Sequence, residues 1–257
     1  MFWKALVALL LVSVFSVSAE PSAAKPEQNS PSFRYEKPTS PDFDSLSNTL
    51  RESRILEVWI KHVGNTLKGV EVRIETVVAE CGKANSSYEP ENRRIVLCYE
   101  EIDRIFSTLR SLGYEDDRLL VFWIGTILNE LYHELCHGLI HTLTLPVAGK
   151  EEDACDQFAL LQLLNHPYGT DLALGSVVYL GEMSSIEKEI GVNPSQQHSS
   201  YAQRYFNILC WTYGSDPEKL GFLIDQEHLP EVRAKTCRTE YLRALHAWSA
   251  LLAPFDK

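Results

Sequence analysis

The chain has 257 residues, 45% apolar and 23% charged, enough to bury the core of one substantial domain or of two small ones. Its net charge of -11 argues against nucleic acid and anionic membrane surfaces as partners, since both demand basic patches. Six cysteines, at 81, 98, 136, 155, 210 and 237, are many for a reducing compartment.

The chain opens with "MFWKALVALLLVSVFSVSAEPSAA", in which Lys4 precedes an apolar run and a Val-Ser-Ala cleavage pattern. This predicts a secretory signal over residues 1–19 and a secreted or periplasmic product, with no stable membrane span after cleavage. Residues 20–44 are rich in Pro, Ser and charge and read as a flexible tether. A single domain is expected over residues 45–257.

Apolar residues recur at helical spacing from about Ser45 to Thr66. "GVEVRIETVVAECG" then alternates with period two, with Val70, Val72 and Ile74 on one face, as in a half-buried strand. The loop "KANSSYEPENRR", which carries the glycosylation pattern Asn85-Ser86-Ser87, leads to a second strand, "IVLCYE". The two strands read as a hairpin, across which Cys81 and Cys98 can bridge. After Glu100 the pattern is helical: 100–112, 116–143, 151–165, 199–213 and 229–251. The expected class is α+β, a small antiparallel sheet followed by a mostly helical body.

The chemistry concentrates in "LYHELCHGLIHTL". His133 and His137 lie one turn apart on one helical face, so both imidazoles can reach one ion. Glu134 is placed to take a proton from a metal-activated water and return it to a leaving amine. The same helix carries apolar residues nearly all round, from Trp123 to Ile140, so these polar groups need buried partners. His141 continues the spacing but lies about 12 Å along the axis from His133, too far to share the ion.

A catalytic zinc takes three protein ligands and keeps one position open. The H-E-x-x-H-x-x-G-x-x-H extension is excluded, because Ile140 and Leu143 stand where Gly and His are required. "LPVAGKEEDACDQFALLQLL" offers a turn and a second helix with acids in its first turn. Glu152 and Asp156 share a face there, which suits Glu152 as third ligand and Asp156 as the residue orienting an imidazole. Glu151 and Asp153 are rivals by proximity. Downstream, "QQHSSYAQRYFN" supplies His198, Tyr201 and Arg204 as candidate donors to an oxyanion, with a structural ion pair the plain alternative for Arg204.

The segment "YHELCHGLIHTLTLPVAGKEEDACDQFALL" resembles the signature of a bacterial metallopeptidase family long classed as a domain of unknown function. The resemblance extends over most of the chain after the tether, including "ECGKANSSYEPENRRIVLCYE" and "LPEVRAKTCRTEYLRALHAW". It implies one Zn2+ per chain on His133, His137 and Glu152, with Glu134 as base, and it places His198 and Arg204 at recurring positions. This chain departs from the family pattern at Cys136 and Cys155, which replace small residues. Both are turned away from the ligand faces, so a Cys136–Cys155 bridge between the two helices is expected rather than thiolate ligation. Cys210 and Cys237 are left as the third pair. The leading function is zinc-dependent hydrolysis of a peptide or protein substrate. The alternatives are a catalytically silent zinc-binding protein and a zinc hydrolase of non-peptide amides.

Overall fold

The computed structural model describes residues 31–67, 70, 73–191 and 198–255; the expected signal segment lies outside them. The class is α+β, as the sequence predicts. A four-stranded sheet sits at the N-terminal side of a helical body, and its strands are β1 (Ser32–Tyr35), β2 (Glu75–Ala79), β3 (Ser86–Glu89) and β4 (Arg94–Cys98). Two helices, α1 (Asp44–Ser53) and α2 (Ile55–Thr66), lie between β1 and β2, separated by Arg54 in the left-handed region at φ 56°.

Two expectations about this region are overturned. Residues 20–44 do not all form a tether: β1 pairs in parallel with β2 from Ser32↔Glu75 to Tyr35↔Val78, so the described part from Ser32 onward belongs to the sheet. Nor is the sheet antiparallel. Its order is β1-β2-β4-β3, with β2 and β4 parallel and only β3 antiparallel to β4. The physical reason is that part of the loop "KANSSYEPENRR" is itself a strand. β3 takes the antiparallel place beside β4 and lets the chain return to run alongside β2 in the same direction. The Cys81–Cys98 disulfide therefore joins the ends of two parallel neighbours. The expected first strand begins later than its alternation suggests, at Glu75, and Val72 lies outside the described residues.

The body consists of α3 (Tyr99–Ser111), α4 (Asp116–Leu143), α5 (Glu151–Leu164), α6 (Gly169–Ile190), α7 (Tyr201–Ser215), the short α8 (Phe222–Asp225) and α9 (Glu231–Leu252). The 28-residue α4 runs through its centre, with Trp123, Ile127, Leu131, Leu135 and Leu139 all at most 1% exposed. Such a helix needs neighbours on every side, and α3, α5, α6 and strands β3 and β4 provide them. Among the described residues, no helix is long and apolar enough to cross a membrane.

The contact of α4 with α6 depends on absent side chains. A Cβ on Gly125 would run into the Leu172 backbone, and one on Gly175 into the Phe122 backbone. Alanine normally stabilises a helix relative to glycine by about 1 kcal/mol. Here the collision is with rigid backbone and should win. Gly125→Ala is expected to cost about 1–3 kcal/mol, read as a thermal midpoint lower by several degrees. An unchanged or raised midpoint would show that α6 can yield.

Two further disulfides tie the body together. Cys136–Cys155 joins α4 to α5, and Cys210–Cys237 joins α7 to α9. With Cys81–Cys98 this is the sequential pairing expected from the sequence, and no free cysteine remains.

Candidate metal centre

Helix α4 ends at Thr144, held in the left-handed region at φ 53°. The chain turns there through "LPVAGK" and starts α5 alongside the histidine face of α4. The acids Glu151, Glu152 and Asp153 fall in the first turn of α5, where exposed backbone N–H groups favour negative charge. This brings α5 carboxylates onto α4 imidazoles.

The contacts form two layers. In the inner one, His133 Nε2 lies 3.0 Å from Glu152 Oε2 and 3.2 Å from His137 Nε2, and His137 Nε2 lies 3.6 Å from the same carboxylate oxygen. Three atoms bound to one tetrahedral zinc at about 2.0–2.2 Å stand roughly 3.3–3.5 Å apart. The three donors thus match a shared ion without rearrangement. In the outer layer, His133 Nδ1–H donates to Asp156 Oδ1 at 3.0 Å, and His137 Nδ1–H to Glu151 Oε1 at 2.6 Å. Each imidazole is held through one nitrogen, leaving Nε2 toward the common point, the usual support of metal-binding histidines. Asp156 is in turn gripped by Arg204, Nε to Oδ2 at 2.9 Å and Nη2 to Oδ1 at 2.7 Å.

The electrostatics favour a cation at that point. Burial works against charge on His133, yet Asp156 and Glu152 outweigh it and push its pKa up to about 10. Burial would raise Glu152, but hydrogen bonds from His133, His137 and His198 hold its carboxyl far below the usual range. Asp156 is likewise held low against burial, by the Arg204 guanidinium and by His133. Carboxylates that keep a proton on a buried imidazole would equally stabilise a metal ion taking that proton's place.

Glu134, 7% exposed, faces a cleft of about 220 Å³ beside the centre. Burial pushes its pKa up, His133 and His137 pull it down, and Glu130 and Glu152 push it up again, leaving it raised. Ser86 Oγ from β3 donates to Glu130 Oε2 at 2.7 Å and to Glu134 Oε1 at 3.3 Å.

His198 comes closer to the centre than its separation in sequence suggests. Its Nδ1 lies 2.9 Å from Glu152 Oε2, and donor atoms of His133, Glu152 and His198 all fall within 4.8 Å of one another. Its side chain is 52% exposed, on the open side of the cleft. Arg204 is buried and spends two nitrogens on Asp156, the ion-pair arrangement weighed for it from the sequence. Tyr201 lines the cleft, its hydroxyl pKa raised chiefly by burial. His141 stands apart, its Nδ1 3.0 Å from the Tyr88 hydroxyl. Of the rival acids, Glu151 holds His137 from behind, and Asp153 accepts from Ser199 Oγ at 2.7 Å.

Sequence reasoning missed Glu130 and Ser86. Glu130 had a signal, since it stands one turn before Glu134 on an otherwise apolar helix. Ser86 had none beyond the glycosylation pattern, and Asn85 of that pattern lines the cleft.

A family model described as "Putative metallopeptidase" matches residues 35–252. No curated protein and no solved structure matches the chain.

Proposed function

The chain belongs to this metallopeptidase family, and from that premise we propose that it is an exported, zinc-dependent peptidase with Glu134 as general base. The reading is carried by the 3.0, 3.2 and 3.6 Å separations among His133 Nε2, His137 Nε2 and Glu152 Oε2. Those three residues would hold the ion, and Asp156 and Glu151 fix the two rings that face it. When bound, zinc acidifies a water and polarises the carbonyl to be attacked.

The remaining steps belong to this chain's side chains. Glu134 takes a proton from the attacking water and delivers it to the departing amine, a role suited to a carboxyl whose pKa is raised. Ser86 Oγ steadies that carboxylate. His198, on the open side, donates toward the oxygen that gains charge as the carbonyl is attacked. Arg204 acts through Asp156 as a positioning residue. Strand β3 is the sheet edge beside the cleft and can align an extended substrate by strand addition. Export is supported by the N-terminal apolar run and by three disulfides.

Metal analysis of the chain starting at Glu20, paired with cleavage of a peptide pool before and after chelation, tests this. About one zinc per chain and cleavage restored by zinc are expected. Stoichiometric zinc in the His133→Ala/His137→Ala double variant, or no cleavage of any peptide by zinc-replete protein, would overturn it. A panel of non-peptide amides in the same assay tests the other hydrolase reading.

One observation favours a second reading. His198 Nδ1, 2.9 Å from Glu152 Oε2, can act as a fourth protein donor, and a structural zinc site is closed by four such ligands. His198→Ala separates the two. In the peptidase zinc content is kept, kcat falls by roughly 10²–10³-fold and KM changes little, as for a lost oxyanion donor. Loss of zinc comparable to that of His137→Ala would establish the closed, silent site.

A further inference from the structure

The cleft beside Glu134 has more carboxylates than the chemistry of bond cleavage needs. Glu101, Glu130 and Glu187 line it together with Arg104 and Arg204. Both arginines are already matched. Arg104 Nη2 meets Glu101 Oε2 at 2.6 Å, and Tyr179 donates to the other oxygen of Glu101 at 3.0 Å. Arg204 is held by Asp156. Among the described residues, neither Glu130 nor Glu187 has a cation within ion-pair distance. Among those residues Glu130 accepts from Ser86 Oγ, and Glu187 from the backbone N–H of Tyr201 at 2.8 Å.

Glu187 is the more telling of the two. It is 9% exposed, and among the described residues its one bond comes from the first N–H of α7, whose helix end supplies only part of a counter-charge. A carboxylate that buried ordinarily has a counter-charge. Glu130 sits one turn from Glu134 on α4, so whatever it binds lies next to the reacting bond. Its charge also reaches Glu101, Glu134, Tyr179 and Tyr201, raising the pKa of each, and reaches Arg204 from beyond ion-pair distance, where Asp156 is the main partner.

We infer that this cleft takes a lysine or arginine side chain of the substrate, adjacent to the bond that is cut, with Glu130 and Glu187 as its counter-charges. The inference rests on the peptidase reading for the identity of the molecule that carries the cation. An uncharged side chain of equal length would leave two carboxylates desolvated and unpaired, so the cleft selects by rejection as well as by attraction. A free α-ammonium offers the same charge but fixes it at the peptide's end.

The test uses fluorescent peptides, acetylated and amidated, that differ at one position among Lys, Arg, norleucine and Glu, with that position moved along the peptide. Binding is read by anisotropy on zinc-loaded Glu134→Gln protein, and cleavage by kcat/KM on the unmodified protein. Lys and Arg are expected to bind about tenfold or more tighter than norleucine at one position, with Glu weakest. Adding Glu130→Gln should collapse that ratio, and so should Glu187→Gln, in which the amide oxygen can still cap α7. Equal binding of Lys and norleucine, or a preference that survives both substitutions, overturns the inference. So does a preference that follows a free N-terminus rather than the side chain. Cleavage indifferent to charge leaves the peptidase reading standing and removes this one. Discrimination in binding with no peptide cleaved does the reverse.

Discussion

Glu134→Gln is expected to keep about one zinc per chain while turnover falls by roughly 10²-fold or more, the usual cost of removing a general base. Glu152→Gln should fail differently, losing zinc first and activity with it. The contrast follows from geometry. Glu152 Oε2 lies within 3.6 Å of both Nε2 atoms, whereas Glu134 turns to the cleft and to Ser86. Glutamine keeps the volume of either side chain, so packing is not the variable. Asp156→Asn belongs between them, with metal affinity down about 10–100-fold, because it orients His133 from behind. Glu151→Gln should do less than Asp156→Asn, since its carboxylate is 48% exposed and water can take its place behind His137. All four variants are to be measured for zinc content and for cleavage of one peptide pool. Zinc lost from Glu134→Gln but retained by an active Glu152→Gln would move the third ligand away from Glu152.

The inner layer of this centre was legible because it is written in local spacing. His133 and His137 are one turn apart, and the acids of "EEDACD" open the next helix, so two short segments and one turn specify it. The outer layer was only half legible. Asp156 shares a face with Glu152, but the contact of Glu151 with His137 depends on how α5 leans on α4. The sheet was misread for a related reason. The residues of β3 and β1 are all half-buried, so neither strand shows the in-and-out alternation that marks a one-sided strand. Polar "SSYE" therefore passed as loop, and without β3 the only pairing left for β2 and β4 was a hairpin. The charge surplus of the cleft was invisible altogether, because Glu101, Glu130 and Glu187 come from three helices and acquire meaning only when their cations are accounted for in space.

The histidine pair behind α4 gives a second large effect, this time on stability. His62 of α2 and His166, just after α5, stack with ring centroids 3.9 Å apart and planes 18° from parallel. Tyr132 of α4, whose hydroxyl burial keeps protonated well beyond the ordinary range, donates to His166 Nε2 at 3.0 Å. That bond requires His166 Nε2 to be unprotonated. Burial, followed by repulsion from His62, lowers the His166 pKa to about 4, and burial lowers His62 as well. The unfolded chain titrates both near 6.5. Below that pH the unfolded state binds protons that the folded state refuses, so stability is complete above about 6.5 and drains away as pH falls toward 4. With partial solvent access the loss amounts to about 2 kcal/mol. Urea midpoints of zinc-loaded protein between pH 7.5 and 4.5, compared with those of His166→Phe, isolate this pair from the carboxylates titrating in the same window. The wild type should lose stability more steeply on acidification than the variant, which has one fewer buried imidazole to protonate. Parallel curves for the two proteins would mean that His166 accepts its proton in the folded state without penalty.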